Sequence, residues 1–454
     1  MKRWAALALS TVLATSIFGG CGLQQTEENE NTDTAATAEN TDSEENGNES
    51  GIGEQEQTEL TVLMSTSAGA VAGFQAVADL AQEKLGITVT IENRPGGTEG
   101  DNLVKTRLAS GDMTDLCIYN SGSLLKNLNP AEYFIDISGE EFASRISEDY
   151  KEVVSDGAEG VYGVPYQSTQ AMGILYSKPM YEKYNLEIPK TWEEFLANCD
   201  VLKEAGETAI LGTFGDAWTA QLPFLGDAYN LQQADPEFAT EFDKGKAKWE
   251  TTEAALRGFE KLEDTYPYYN EDYLANTYDV GCDMMANGEA GHWFMLSKGL
   301  SNIYELYGDQ VNDIGIFGVP GDDASDMGIT LSYPNGIYGN KNSEKQDAIK
   351  KFMEFYVSDE ALAAFTSAIL PDGPYCIEGY QMPNEAYDAV KNDIQSYLDT
   401  GKSAPAMEYI TLVKGADCAT ICQELGSGQT TAQEAAKKYD EDCAKQAVQL
   451  GLQW

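Results

Sequence analysis

A two-lobed α/β architecture is what this sequence predicts, and three observations predict it. From Leu60 to Tyr119 short apolar runs alternate with amphipathic stretches in the order strand, helix, strand, helix, strand, the pattern of a parallel sheet covered by helices. The part of the chain from residue 60 onward is about 395 residues long, too much for one simple core and right for two. Two apolar runs that end in proline, Val161–Pro165 and Ile314–Pro320, lie about 150 residues apart. A chain that passes twice between lobes has such a pair.

Ahead of these elements come two segments that do not belong to the fold. Lys2 and Arg3 precede a mostly apolar run, Trp4 to Phe18, and Gly19-Gly20 stands before Cys21. The run is too short to span a bilayer and reads as a secretory signal, residues 1–20. Small residues directly before a cysteine resemble a bacterial lipobox, which implies cleavage before Cys21 and its diacylation. That would anchor the protein at the extracytoplasmic face of the cell membrane. Residues 22–59 hold acids and polar residues, almost nothing apolar, and neither Lys nor Arg. Such a segment buries too little surface to offset the entropy of ordering it, so 21–59 reads as a lipidated cysteine and a disordered acidic tether.

The folded elements follow in order. Leu60–Met64 is a strand. Val71, Phe74, Val77, Ala78 and Ala81 recur at helical spacing until Gly86. Ile87–Ile91 is a second strand, Leu103, Val104 and Leu108 mark a helix stopped by Gly111, and Leu116–Tyr119 is a third strand. Ligands of parallel sheets sit beyond the carboxyl ends of strands. Here that selects Ser65–Ser67, Thr98–Asp101 with Glu99, and Asn120-Ser121-Gly122-Ser123. Ala171–Tyr176 is a buried strand, and Thr191-Trp192-Glu193-Glu194 opens a helix as a capping box. A short strand at Ala209–Leu211 runs into a loop with Trp218, helices follow around 251–262 and 279–287, and Glu289–Phe294 reads as another strand. Ser343 with Gln346 and Thr431 with Glu434 are read as two further capping boxes.

The charge excludes one class of partner. Acids outnumber bases 75 to 29, a net −46, so nucleic acid is repelled. Of eight cysteines, seven remain after Cys21; Cys418 and Cys422 are one helical turn apart, a poor disulfide distance, and buried free thiols are the expectation. With a single histidine in the chain, a zinc cluster is not expected.

Several motifs, taken together and in order, give the chain a family likeness. Leu108-Ala109-Ser110-Gly111-Asp112 with Asp115-Leu116, Val164-Pro165-Tyr166 with Leu175-Tyr176-Ser177-Lys178, and Ile188-Pro189-Lys190-Thr191-Trp192-Glu193-Glu194-Phe195 are three of them. Met285 to Trp293 and Gly426 to Ala435 are two more. The set resembles the family 1 extracellular solute-binding proteins, with Thr114 where the family usually has proline, and runs from about residue 60 to the end. The resemblance implies a two-lobe periplasmic-binding-protein-like fold (type II) with a cleft between lobes joined by crossover strands. It also implies a receptor of an ABC importer closing on a sugar or oligosaccharide, with permease subunits as partners and no cofactor or metal. The first lobe is expected at 60–165 plus 318–371 and the second at 166–317 plus 372–454. Val164–Gln170 is expected to be the first crossover, Ile314–Pro320 its return partner, and Pro371–Tyr375 the third crossing.

A sugar needs flat aromatic faces for its C–H surfaces and dense hydrogen-bonders for its hydroxyls. The candidate contacts are therefore Ser67, Glu99, Asn120, Ser121, Tyr166, Gln167, Trp218, Trp293 and Tyr333, with Asp101 as a further acceptor; Trp293 is favoured by the family resemblance, and Trp192 is expected to pack in the core. A monomer is expected. Two alternatives stay open: a receptor for a non-sugar solute, and a secreted glycosidase or lyase, although among 75 acids no carboxylate pair stands out. Asp322-Asp323 with Asp326 lacks the glycine and distal glutamate of a calcium loop and reads as a turn. No repeats suggest an adhesin.

Overall fold

The computed structural model describes residues 57–65, 70–156 and 159–454. The signal, Cys21 and nearly all of the tether, like Ser67, lie outside the described residues. The strands are β1 (Thr58–Met64), β2 (Ile87–Asn93), β3 (Leu116–Tyr119), β4 (Gly163–Pro165), β5 (Gln170–Ser177), β6 (Thr208–Ile210), β7 (Ala290–Leu296), β8 (Ile314–Phe317), β9 (Ile329–Ser332), β10 (Gly336–Gly339) and β11 (Ser403–Pro405). They form two sheets. The first has the order β2-β1-β3-β10-β4, with β1 parallel to β2 and β3, and β10 antiparallel to both neighbours. The second has the order β11-β9-β5-β7-β6, and β8 also pairs with β5.

The first half of the expected element order is what the structure contains. Helix Val71–Leu85 buries Phe74, Val77, Ala78 and Ala81 and ends at Gly86, whose φ of 70° needs a residue without a β-carbon. In the second sheet β5 is the spine: it pairs antiparallel with β7 on one edge and with β8 and β9 on the other. Both faces are covered, so its alternation does not mark an outside. Trp192 is 1% exposed and donates from its indole to Asp264 at 2.9 Å. Its helix is capped by Thr191, which accepts from the Glu194 N–H at 3.2 Å, while the Glu194 carboxylate reaches back to the Lys190 N–H at 2.7 Å rather than to Thr191 itself. Thr431 caps the last helix in the same way. Ser343 does not cap: helix Gln346–Tyr356 begins after Lys345, and Ser343 instead donates to Asp115 at 2.7 Å. All seven described cysteines are buried free thiols.

The crossings between sheets differ from the expectation in two places. Residues 166–169 do link β4 of the first sheet to β5 of the second. Ile314–Pro320 is not the return partner. It supplies β8, registered on β5 from Ile174↔Phe317 to Ser177↔Ile314, because an apolar run beside a fully buried strand pairs with it. The return is Tyr333-Pro334-Asn335, between β9 and β10, and the Tyr166 N–H donates to the Asn335 carbonyl at 2.9 Å. The first-lobe boundary at 318 therefore moves to about 333, since Ile329–Ser332 is a strand of the second sheet. Likewise residues 372–378 stay with the first sheet's layer: Ser147 N–H donates to Cys376 O at 3.1 Å and Glu378 N–H to Arg145 O at 2.7 Å. Only farther on does the chain join the second sheet, where Asp393 accepts from the Ile316 N–H at 3.0 Å.

Segment 371–376 laces against the first crossover before it leaves. The Thr169 N–H donates to Pro374 O at 2.7 Å, the Asp372 N–H to Ser168 Oγ at 3.1 Å, and Thr169 Oγ1 lies 3.0 Å from Cys376 Sγ. A β-carbon on Gly373 would stand 2.2 Å from Thr169 O, so the two strands of this crossing approach closely only because residue 373 is glycine.

Candidate functional site

Between the sheets lie two cavities, of about 280 and 710 Å³, that share Gln167, Gln170 and Lys298 in their walls. The smaller is bounded by Asn120 and Ser121 after β3, by the return crossover 333–335, and by Trp218 and Leu296 from the other side. The larger extends from Ala70, at the start of the first helix, past Thr366 to Asp372, Ser301 and Tyr387. Both open where strands of the first sheet end, as parallel-sheet topology dictates.

Of the expected contacts, Asn120, Ser121, Gln167, Trp218 and Tyr333 come together around the smaller cavity. Asn120 is half-buried on the cavity wall, and its backbone carbonyl accepts from the Tyr338 hydroxyl at 3.0 Å. The Ser121 hydroxyl is committed to Pro334 O at 3.0 Å and fastens the return crossover to the β3 loop. Tyr333 is half-buried, its ring set edge-on to Tyr409 at 5.4 Å. Tyr166 also touches this cavity but is only 2% exposed, its ring packed against Phe74 and Phe365 and its backbone carbonyl accepting from Tyr356, so it forms the floor and offers no stacking face.

Glu99 is exposed on the first turn of helix Gly97–Ser110 and lines neither cavity, a solvated acid at a helix N-terminus. Asp101 is half-buried near Arg94, and burial lifts its carboxyl above the usual range.

Trp293 is a core residue, against the expectation. It is 1% exposed, and its indole donates to Thr213 at 3.3 Å. It is nevertheless connected to the cleft: Trp293 packs on Tyr278 with centroids 5.6 Å apart, and Tyr278 packs on Trp218, also at 5.6 Å. The three rings make one tier running from core to cleft, and Trp218, half-buried, is its exposed end.

Lys298 and Asp372 are the cleft residues that sequence reasoning missed. Lys298 is the first residue of helix Lys298–Tyr307, and its ammonium lies 4.8 Å from the ring centroids of both Trp218 and Tyr278. Among the described residues no carboxylate pairs with it, and burial lowers its pKa. A cation at a helix N-terminus opposes the macrodipole, and that mismatch was the signal available in the sequence. Asp372 is 8% exposed; Ser301 donates to Oδ1 and Gln170 Nε2 to Oδ2 at 3.2 Å. Burial pushes its carboxyl up to about 6, against the pull of those two donors and of Lys298. The flanking turn Pro371-Asp372-Gly373-Pro374 was visible, but nothing local says that its acid turns inward.

The acidic turn has ordinary partners: Asp322 binds Arg257 through two contacts of 3.0 Å, Asp323 accepts from Ser325, and Asp326 accepts from Tyr229. The single histidine is 0% exposed on β7 and reaches neither cavity.

Comparison with known proteins places the chain in context. A family model described as bacterial extracellular solute-binding protein matches residues 65–363, about two thirds of the chain. A Streptococcus mutans protein named multiple sugar-binding protein is 29% identical over 146 residues, 32% of this chain and 33% of its own. An uncharacterized ABC transporter extracellular-binding protein of Pyrococcus horikoshii is 26% identical over 163 residues, 36% of this chain and 37% of its own. The matched segments thus span about a third of the length of these curated relatives. Among solved structures, a chitin oligosaccharide binding protein superposes with a TM-score of 0.73 at 22% identity, covering 87% of this chain and 99% of that one. That likeness establishes the two-lobe fold.

Proposed function

We infer that this chain, which belongs to the family of bacterial extracellular solute-binding proteins, is the receptor of an ABC importer that captures a sugar or oligosaccharide between its lobes. It hands the solute to permease subunits in the membrane and undergoes no chemistry with it. It works as a monomer on the extracytoplasmic side, held there by lipid on Cys21 and given reach by residues 22–59. Closure is a bend at the two short crossovers, 166–169 and 333–335, with 371–376 laced against the first.

The observation that carries the reading is the make-up of the cleft. One half-buried indole, Trp218, stands beside Asn120, Gln167, Gln170, Gln221 and Asn335. Flat aromatic surface with many neutral donors and acceptors matches a pyranose, which shows C–H groups on its faces and hydroxyls on its rim. The sugar-named relative and structural neighbour support the same class.

The test is a thermal-shift panel of neutral mono- and oligosaccharides followed by product analysis. A receptor is stabilised by its sugar by mass action, about 2.7 kcal/mol at a hundredfold excess over Kd, and returns it unchanged. Trp218→Ala should weaken binding by about tenfold or more while the unliganded protein stays folded. No stabilisation by any sugar would refute the ligand class, and conversion of a bound sugar to new products would refute the receptor.

A further inference from the structure

We propose that Lys298 and Asp372 are the specificity-determining pair of the cleft, and that they select an uncharged, hydroxyl-bearing end of the solute over a carboxylate. The inference rests on the sugar-receptor reading and narrows the substrate class to neutral rather than acidic sugars.

The position of Lys298 is the first argument. It stands where the two cavities meet, its cation rests against two aromatic rings, and among the described residues its ammonium donates to no protein acceptor. An ammonium has three donors, and those of Lys298 face the two cavities, free to bind whatever fills the cleft. Its place on the first turn of a helix is one where the backbone dipole disfavours a cation, and the two ring faces of Trp218 and Tyr278 hold the ammonium there against the dipole.

The second argument concerns charge. The acids that act on Lys298 through space are Asp372, Asp216 and Asp279, three against one cation. Asp216 is held by the Tyr278 N–H at 2.7 Å, and Asp372 by Ser301 and Gln170. A solute carboxylate drawn to Lys298 would therefore enter a region already net negative, and like-charge juxtaposition is a strong means of rejection. A hydroxyl meets no such penalty. It accepts from Lys298 and donates to Asp372, whose two oxygens keep lone pairs beyond those taken by Ser301 and Gln170. Asp372 also ties this contact to closure, since its own N–H is bound to Ser168 of the first crossover at 3.1 Å.

The experiment is isothermal titration of the full chain with the best neutral sugar of the panel and with its uronate counterpart, such as glucose against glucuronate for a glucosyl ligand. Wild type should bind the neutral sugar at least tenfold more tightly than the uronate. Lys298→Met, which keeps the stem over the rings, should lose about 10- to 100-fold for the neutral sugar, the worth of a charge-assisted hydrogen bond. Lys298→Arg should retain part of that affinity. Asp372→Asn should weaken the neutral sugar and narrow the gap to the uronate. Equal or tighter uronate binding by wild type, or unchanged neutral-sugar binding by folded Lys298→Met, would overturn the proposal while leaving the sugar receptor standing. Failure of wild type to bind any sugar would overturn both, and is distinguished because it needs no variant.

Discussion

Protonation of the chain's single histidine is expected to cost stability in a pH window that can be computed from its surroundings. His292 Nδ1 lies 2.8 Å from Ala209 O, an oxygen that only accepts, so Nδ1 carries the hydrogen. Nε2 is then the acceptor and takes the Tyr181 hydroxyl at 2.7 Å. Phe195 and Phe317 close around the ring with centroids 5.0 and 6.4 Å away. The neutral imidazole is fully satisfied, and burial lowers its pKa from 6.5 to about 4. The unfolded chain therefore binds a proton that the folded one refuses. The contribution is fully present above pH 6.5, declines by about 1.4 kcal/mol per pH unit below it, and totals about 3 kcal/mol by the time the folded pKa is passed. At pH 5 the loss is about 2 kcal/mol. Two measurements isolate it. With one histidine in the sequence, a single imidazole signal in an NMR titration reads the folded pKa directly. Urea unfolding of wild type and His292→Gln between pH 7 and 5 removes the background of carboxylates common to both, and wild type should fall more steeply by that amount. An imidazole titrating near 6.5, or parallel pH profiles for the two proteins, would refute the reasoning.

Two further substitutions test the frame that carries the cleft. Gly373→Ala places a β-carbon 2.2 Å from Thr169 O, a backbone atom of a residue whose own N–H is held by Pro374 O at 2.7 Å. It should cost about 1–3 kcal/mol in urea unfolding and weaken ligand binding by disturbing the crossing, and an unchanged unfolding midpoint would contradict the close approach. Lys261 and Asp227 form a buried pair at 2.5 Å, with 1% and 4% side-chain exposure, and Lys261 also donates to Pro320 O at 2.8 Å. Lys261→Met should destabilise by about 3–5 kcal/mol because it strands the Asp227 carboxylate, and Asp227→Asn in the same chain should recover part of the loss. A cost below about 1 kcal/mol for the single variant would mean that water, not Lys261, satisfies Asp227.

What the sequence makes legible is local and strongly patterned. The strand–helix–strand–helix–strand opening could be read because each helix buries one stripe and each strand is a continuous apolar run, both set by neighbours in sequence. β9, β10 and β11 have four, four and three residues, and their pairing is decided by β5, β3 and each other across more than a hundred positions in some cases. No local window carries that information. The same limit misplaced the return crossover. Ile314–Pro320 and Val161–Pro165 look alike as apolar runs ending in proline, yet the first stays beside β5 while the second leaves its sheet. The actual return, Tyr333-Pro334-Asn335, shares a different feature with Tyr166-Gln167: an aromatic and a side-chain amide at a strand end.

The cleft shows the same division more sharply, and it explains why Trp218 reaches the cleft and Trp293 does not. Strand β7 lies between β5 and β6 and is covered on both faces, so period two does not separate an inside from an outside, and His292 and Trp293 are both buried. Trp218 sits on the short 3-10 helix Ala217–Gln221, where it stays half-buried at the cleft wall, and the Tyr278 ring passes its support down to Trp293. Composition thus identified the right residue types, and topology chose among them. For Lys298 and Asp372 the order of inference reverses. Neither belongs to a motif, but each violates a local rule: a cation on the first helical turn, and an acid buried in a proline-flanked turn. A local rule broken without local compensation has to be compensated by something distant. In this cleft Asp372 is met by Ser301 and Gln170 and Lys298 by two aromatic faces, and the proposed solute hydroxyl would bridge the two.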